Sequence, residues 1–214
     1  MRTRVIETAH PTLILRGNMF LKEIKEQNNK ILERAKYIES LLSTLDLSKD
    51  IIECDNAELY YMATASLTAQ AKAPMGEKFL CNKLHLKRVS SREGKGDAVD
   101  ENGIYYEFKN SFTNQAENLN IRQIRLYQPI DFYYCFYINE ENLSKSLFFV
   151  LTKKQMEEEV ELCGGFTHGT ISANLENQNK EYSITIPIYN DNNEKTKRWK
   201  EKYLSEELKR KIFE

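Results

Sequence analysis

The sequence predicts an α/β protein, leaning towards α+β, in which a mixed central β-sheet is flanked by helices. Three observations lead to this prediction. Helical periodicity runs through most of residues 19–84, strand-like and helical segments then alternate, and residues 131–138 read DFYYCFYI with almost no polar interruption. Such an apolar run is typical of a central strand covered on both faces. The order of the elements therefore predicts one sheet with helices packed on its faces.

Three helices are predicted in the first part of the chain. Residues 19–47 carry apolar side chains at intervals of roughly three and four, which indicates an amphipathic helix, and residues 56–70 are also helical in pattern. A third helix is predicted to begin near Pro74, because proline is favoured at the start of a helix. Glu77 then falls in its first turn or two.

A polar, amide-rich stretch follows the first strands of the chain. It becomes periodic at Leu119, Ile121, Ile124 and Leu126, and this spacing predicts a helix that ends before Pro129.

The last third of the chain mixes strands and helices. Residues 147–151 predict a strand, and residues 152–162 predict a helix that is capped by Thr152 and stopped by the following glycine pair. One or two more strands are expected around a polar loop at residues 176–180. The last 24 residues predict one charged terminal helix with an apolar side.

Composition limits the possible classes of protein. The 31 Lys and Arg nearly balance the 32 Asp and Glu, so the overall charge predicts neither a nucleic-acid nor a membrane partner. The four cysteines show no C-x-x-C spacing, which favours neither a disulfide framework nor a zinc site and fits a reducing cytoplasm. Neither a signal peptide nor an apolar run of about 18 residues is evident. We therefore expect a cytoplasmic protein without a membrane span.

The stretch GDAVDENGIYYEFKNS, residues 96–111, combines strand alternation with an unusual density of charge. An Asn-Gly turn predicts a tight hairpin in which residues 96–100 pair with residues 104–111. Alternation along the second strand sends Tyr105, Glu107 and Lys109 to one face, which is expected to be polar and open. The residues between them project to the other face and are expected to pack against helices.

Two acidic side chains and a lysine meet in this hairpin. Asp97, near the opposite end of the first strand, is expected to approach Glu107. Two carboxylates brought together repel each other unless a cation lies between them, and such an oxygen pair suits Mg²⁺. Lys109 would lie beside that ion and act on its water or on a phosphate. The set predicts hydrolysis of a phosphodiester.

Asp97, followed after nine residues by Glu107-Phe108-Lys109 on a hairpin, resembles the PD-(D/E)xK nuclease superfamily, and its size and layout resemble the Type II restriction endonucleases. The resemblance implies a restriction-endonuclease-like core in which Asp97 and Glu107 bind Mg²⁺ and Lys109 positions or activates the attacking water. It also implies that Glu77 completes the acidic cluster through a water.

The resemblance has limits that are visible in the sequence. Gly96 stands where the short form of the family motif has proline. The motif spans residues 77–111, and the similar layout extends over roughly residues 70–165. We expect a single endonuclease domain over residues 1–214, with helices in residues 1–70, the catalytic core in 71–165, and possible DNA-recognition or dimer contacts in 166–214.

Double-stranded DNA is the expected partner, and a homodimer is expected because a palindromic site suits a two-fold symmetric protein. The predicted DNA contacts are basic residues before Asp97, polar residues after Lys109 and two residues of a glycine-rich stretch. They are Lys87, Arg88, Arg92, Lys95, Asn114, Arg122, Gln123, Thr167 and His168.

Three alternatives stay open at this point. The hairpin is also consistent with an exposed structural element that carries cross-strand ion pairs. A repair or recombination nuclease of the same superfamily would use the same residues on a different DNA target. A non-catalytic DNA-binding protein would retain the hairpin without the chemistry.

Overall fold

A computed structural model describes residues 22, 25–33, 35–37, 39–40, 56–64, 67–113, 117–167 and 180–213 of the chain. The chain divides into two compact units, residues 1–47 and residues 48–214. In the first unit the described residues are helical, in agreement with the predicted N-terminal helix. The single endonuclease domain over the whole chain stays a prediction. All elements below belong to the second unit.

The strands of the second unit form two sheets. They are β1 (Lys87–Arg88), β2 (Ala98–Val99), β3 (Tyr105–Phe112), β4 (Asn118–Ile124), β5 (Phe132–Ile138), β6 (Leu147–Thr152), β7 (Phe166–Thr167) and β8 (Tyr182–Pro187). The larger sheet has the order β1-β2-β3-β5-β6, with β3 and β5 parallel and the other pairs antiparallel. The predicted mixed sheet, with β5 as an interior strand, is therefore confirmed.

The smaller sheet has the order β4-β8-β7 and corrects one prediction. The periodic stretch around Leu119 and Ile124 is a strand and not a helix. A bulge between Ile121 and Ile124 shifts the register by inserting an extra residue. Leu119, Ile121 and Ile124 all remain fully buried. Because the bulge replaces the spacing of two by a spacing of three, the apolar pattern resembles that of a helix.

Helices cover both faces of the larger sheet. They are α1 (Ala57–Thr64), α2 (Ala69–Lys83), α3 (Lys153–Leu162), α4 (Glu194–Lys202) and α5 (Glu206–Phe213). Thr152 and Gln155 form a capping box at the start of α3, as its sequence predicts for Thr152. No helix in the described part of the chain combines the length and the apolar character needed to cross a membrane.

Two helix predictions are corrected. Helix α2 begins at Ala69, with Thr68 as its N-cap, so Pro74 lies inside the helix and not at its start. The predicted single terminal helix is two helices, α4 and α5. The two helices are separated at Leu204, which forms a β-bridge with Phe149 of β6. On either side of Leu204, the carbonyl of residue 203 and the N–H of residue 205 form hydrogen bonds with β6 instead of helical hydrogen bonds.

The two faces of β5 belong to two hydrophobic clusters. Tyr133, Cys135 and Tyr137 pack in the cluster that contains the smaller sheet, α3 and α4. Phe136 and Ile138 pack in the cluster that contains α1, α2 and α5. Phe108 of β3 belongs to the second cluster, so its predicted packing against helices is confirmed. The face of β3 that carries Glu107 is therefore the face that the smaller sheet covers.

A buried carboxylate joins α3 to α4. Glu159 is fully buried and accepts hydrogen bonds from Arg198 Nε at 2.7 Å and from its Nη2 at 2.8 Å. Trp199 Nε1 donates to the same carboxylate at 2.7 Å, and the Tyr203 hydroxyl donates at 3.1 Å. Although burial opposes ionisation, these donors together hold the pKa of Glu159 below its ordinary value.

Candidate active site

The predicted hairpin is present as β2 and β3. Ala98 pairs with Tyr106 and Val99 with Tyr105 in an antiparallel ladder. Asp100 Oδ1 accepts hydrogen bonds from the backbone N–H groups of Asn102 and Ile104, both at 2.9 Å, and thereby closes the turn. Gly103 in this turn has φ +81°, a value that glycine adopts without steric cost.

Asp97 directly precedes β2, and its backbone and its side chain both bond to β3. Its N–H donates to the Tyr106 carbonyl at 2.9 Å. Its carboxylate Oδ2 accepts a hydrogen bond from the Phe108 N–H at 2.8 Å. The side chain is therefore held against β3 between the backbone of Glu107 and that of Phe108. The expected approach of Asp97 to Glu107 results from these two bonds.

Gly96 explains the departure from the proline of the family motif. Its φ is +90°, and a Cβ at this position would lie 2.7 Å from the Tyr106 carbonyl oxygen. Proline fixes φ near about −65° and so does not fit this backbone. The close contact between the two strands here requires glycine.

Glu107 and Lys109 form an ion pair that is almost completely buried. Lys109 Nζ lies 2.6 Å from Glu107 Oε1 and donates a second hydrogen bond to the Gln123 carbonyl at 3.0 Å. The side chains are only 5% and 11% exposed, respectively. The expectation of an open face is therefore wrong here, because β4 of the smaller sheet covers this part of β3. Both charged groups are held in place before any ligand binds.

The carboxyl group of Asp97 shows how close the charges are. Burial raises the pKa of this carboxyl group, and the charge of Glu107 raises it further, to about 7. The Phe108 N–H and the Lys109 ammonium act in the opposite direction, and Glu77 adds to the increase. The charges of Glu107, Glu77 and Lys109 therefore all act on the carboxyl group of Asp97.

Glu77 lies on α2 and reaches the site from outside the hairpin. It lies in the third turn of that helix and not in the first two, because α2 begins earlier than expected. Glu77 Oε2 accepts a hydrogen bond from Arg88 Nη2 of β1 at 2.8 Å. An acid of the candidate site and a predicted DNA contact are therefore partners of each other.

The other predicted DNA contacts lie at several places. Lys87 and Arg92 are exposed near the edge of the larger sheet, and Arg122 and Gln123 are exposed on β4. Lys95 Nζ lies 5.7 Å from the centre of the Tyr105 ring. The remaining predicted contacts receive no side-chain description, because Asn114 and His168 lie outside the described residues and only the backbone of Thr167 is described.

Two further residues interact with the charge of Glu107: Tyr133, which the sequence did not single out, and Arg125, which belongs to the polar stretch after Lys109 that was expected to face DNA. Tyr133 is the neighbour of Glu107 in the parallel register, and its fully buried hydroxyl has no hydrogen-bond partner in the described part of the chain. Burial and the charge of Glu107 raise the pKa of this hydroxyl. Arg125 follows β4, and its Nε donates to Glu181 Oε1 at 2.8 Å. No local signal reveals the position of Tyr133 beside Glu107, because it depends on strand register.

The donor set suits Mg²⁺ better than a metal that needs a closed cage. The described residues contain no group of three or more His, Cys, Asp or Glu side chains arranged to hold a metal ion. Asp97 and Glu107 supply two hard oxygen donors whose mutual repulsion a cation would relieve. Mg²⁺ commonly takes one or two carboxylates and fills its shell with waters and phosphate oxygens. The residues therefore fit this ion.

A cavity of about 560 Å³ lies elsewhere, on the side of the larger sheet that carries α2 and α5. It is lined by Tyr106, Tyr134 and Leu208 among others, and its lining includes neither Glu107 nor Lys109. The cavity is therefore separate from the side chains of the candidate site.

Comparison with known proteins adds no relative. No protein-family model matches the chain, and no curated protein matches its sequence.

Proposed function

We propose that this chain is a Mg²⁺-dependent endonuclease that hydrolyses phosphodiester bonds of double-stranded DNA. The observation that carries the proposal is the constellation on the β2–β3 hairpin. Asp97 is held by the Phe108 N–H, and Lys109 is held against Glu107 at 2.6 Å. Two carboxylates and an ammonium group are therefore preorganised on one short element, which is what charge stabilisation at a phosphate requires.

Each residue has a separate role in the proposed reaction. Asp97 and Glu107 would hold Mg²⁺, which when bound supplies a Lewis acid and a more acidic water. Lys109, held by the Gln123 carbonyl, positions the attacking water and stabilises the negative charge that develops on phosphorus oxygens. Glu77 supports the acidic side of the site. In-line attack leaves 5′-phosphate and 3′-hydroxyl ends, as the resemblance implies.

The finer proposal is a Type II restriction endonuclease that acts as a homodimer on a fixed sequence. It depends on the resemblance and on exposed cationic and polar side chains near the hairpin, such as Arg92 and Arg122. Cutting at a lesion or at a branched structure, and not at one sequence, would instead identify a repair or recombination nuclease of the same superfamily.

One observation favours a second candidate, a DNA-binding protein without catalysis. Glu107 already has Lys109 as an internal partner, and Asp97 already accepts a backbone hydrogen bond. Both charges thus also have a structural role. The two candidates differ in a single property, which is hydrolysis in the presence of Mg²⁺.

The deciding experiment incubates the purified protein with a mapped plasmid, with and without Mg²⁺, and sequences the ends. Glu107→Gln and Lys109→Gln each remove one charge of the ion pair and are each expected to lower the cleavage rate by about 100-fold or more. Glu101→Gln, an exposed acid in the turn of the same hairpin, is the matched control and should cut normally. A wild-type protein that does not cut, or two variants that cut at the wild-type rate, would refute the proposal.

A further inference from the structure

Strand β4 crosses over β3 in the opposite direction, and side-chain contacts define their alignment. The Ser111 hydroxyl contacts the Asn118 carbonyl and the Asn120 N–H, both at 3.2 Å. Two residues back along β3, Lys109 Nζ contacts the Gln123 carbonyl at 3.0 Å. Residues nearer the start of β3 therefore lie opposite residues nearer the end of β4. Arg125 lies two residues beyond Gln123, directly after the end of β4.

The bulge in β4 makes this alignment possible. Gln123 has φ +54°, an uncommon conformation for a residue with a side chain, and the register of β4 with β8 shifts at this point. Its carbonyl consequently bonds to Lys109 instead of continuing the ladder. Arg125 follows two residues later, where β4 has ended, and the charge of Glu107 acts on its guanidinium.

The guanidinium of Arg125 is oriented before any ligand binds. Its Nε donates to Glu181 Oε1 at 2.8 Å, and the two side chains are 31% and 26% exposed. A guanidinium has five N–H donors in a fixed plane, and this bond uses one of them. Burial lowers the pKa of Arg125, but the hydrogen bond and charge of Glu181, with a smaller contribution from Glu107, raise it overall. The group is therefore a permanent cation within the electric field of the acidic site.

We propose that Arg125 binds a DNA phosphate beside the Asp97–Glu107–Lys109 constellation, and that Glu181 is the positioning residue that aims it. Arginine suits this role because its planar fork matches two phosphate oxygens, whereas lysine provides only a point charge. The inference rests on the proposed function and deepens it. Neither the motif nor the spacing that carries the resemblance includes Arg125.

Two measurements test the proposal on the full chain. DNA binding is measured without divalent ions at several salt concentrations, and plasmid cleavage is measured with Mg²⁺. Arg125→Ala is expected to reduce the salt dependence of binding by about one phosphate contact and to lower the cleavage rate by about 100-fold. Arg125→Lys should restore the salt dependence but not the rate, because it keeps the charge and loses the fork.

Two further variants complete the set. Glu181→Gln should retain the salt dependence of binding and lower the cleavage rate, because it removes the orientation but not the charge of Arg125. Arg210→Ala, an exposed arginine on α5, is the control and should behave as the wild type. Thermal unfolding is recorded for every variant. If Arg125→Ala does not fold, Arg125→Lys and Glu181→Gln still give both readouts.

The outcomes separate the two proposals. If the wild type cuts DNA and Arg125→Ala binds with unchanged salt dependence and cuts at the wild-type rate, Arg125 has no phosphate contact and the endonuclease proposal stands. If the wild type does not cut but Arg125→Ala loses one phosphate contact, the contact is supported and the endonuclease proposal fails. If the wild type does not cut and the salt dependence is unchanged, both fail.

Discussion

Asp97→Asn is predicted to stabilise the protein at alkaline pH and to have little effect at acidic pH. The asparagine oxygen can still accept the Phe108 N–H that Asp97 accepts at 2.8 Å, so the hairpin keeps its hydrogen bond. What the substitution removes is a negative charge that lies in a buried position beside Glu107.

The magnitude follows from the pKa of the carboxyl group. Asp97 changes from an ordinary value of 3.8 to about 7 in the folded protein, a difference of about three pKa units. Each unit corresponds to about 1.4 kcal/mol, so the ionised group lowers the free energy of unfolding by about 4 kcal/mol. Because the folded-state pKa is the higher one, this loss is absent below about pH 4 and complete above about pH 7. The advantage of Asp97→Asn should grow over that window.

Urea unfolding at pH 4, 6 and 8 without divalent ions measures this difference. Trp199, the one tryptophan of the chain, is fully buried and reports unfolding by fluorescence. Asp100→Asn is the matched control on the same hairpin. Its carboxylate accepts two backbone N–H bonds that hold its pKa below the ordinary value, so its removal should destabilise at neutral pH.

A constant difference between Asp97→Asn and wild type from pH 4 to pH 8 would refute the reasoning. It would mean that the carboxyl group titrates as in the unfolded chain and that Asp97 and Glu107 do not repel each other in the folded state. An advantage that shrinks as the pH rises would have the wrong sign and would refute it as well.

Four further predictions concern the same fold. Mg²⁺ at pH 8 should raise the unfolding midpoint of the wild type but not that of Asp97→Asn, and equal shifts would exclude Asp97 as a ligand. Gly96→Ala should cost more stability than Gly103→Ala in urea unfolding, because only Gly96 adds a contact of 2.7 Å to its positive φ; equal losses would contradict this. Glu159→Gln should cost about 3–5 kcal/mol in unfolding followed by circular dichroism, since it breaks a buried ion pair, and a loss below about 1 kcal/mol would count against that. Tyr133→Phe should raise the free energy of unfolding by about 1 kcal/mol, because the lost hydroxyl has no partner in the described part of the chain; a comparable loss would indicate a bound partner.

The sequence predicts the elements whose signals are local. The Asn-Gly turn and the alternation around Glu107 identify the β2–β3 hairpin because the residues that form it lie within a few positions of one another. The same holds for α3, where Thr152 is the cap. The apolar run of β5 predicts that it is an interior strand, because such a run indicates that both faces of the strand are covered.

Predictions failed where distant parts of the chain decide the structure. Gln123 forms a bulge, and this bulge gives β4 the apolar spacing of a helix. Leu204 interrupts the terminal helix because it bridges to β6, more than fifty residues earlier. Neither effect leaves a signal in the neighbouring residues.

The candidate site likewise has features that local sequence predicts and features that depend on distant parts of the chain. The alternation that places Glu107 and Lys109 on one face is local and was predicted from the sequence. The burial of Glu107 and the contact of Lys109 with the Gln123 carbonyl depend on β4, which was assigned to the wrong class of element. Arg125 was read as part of a helix for the same reason. Its hydrogen bond to Glu181 depends on the register between β4 and β8.

The glycine at position 96 restricts which residues this hairpin can accept. Because its backbone excludes both proline and any residue with a Cβ, no single substitution can convert this chain to the proline form of the motif. The residue at position 96 and the path of the backbone around it would have to change together. Two hydrogen bonds, from Asp97 N–H to the Tyr106 carbonyl and from Phe108 N–H to the Asp97 carboxylate, depend on the backbone path that this glycine permits.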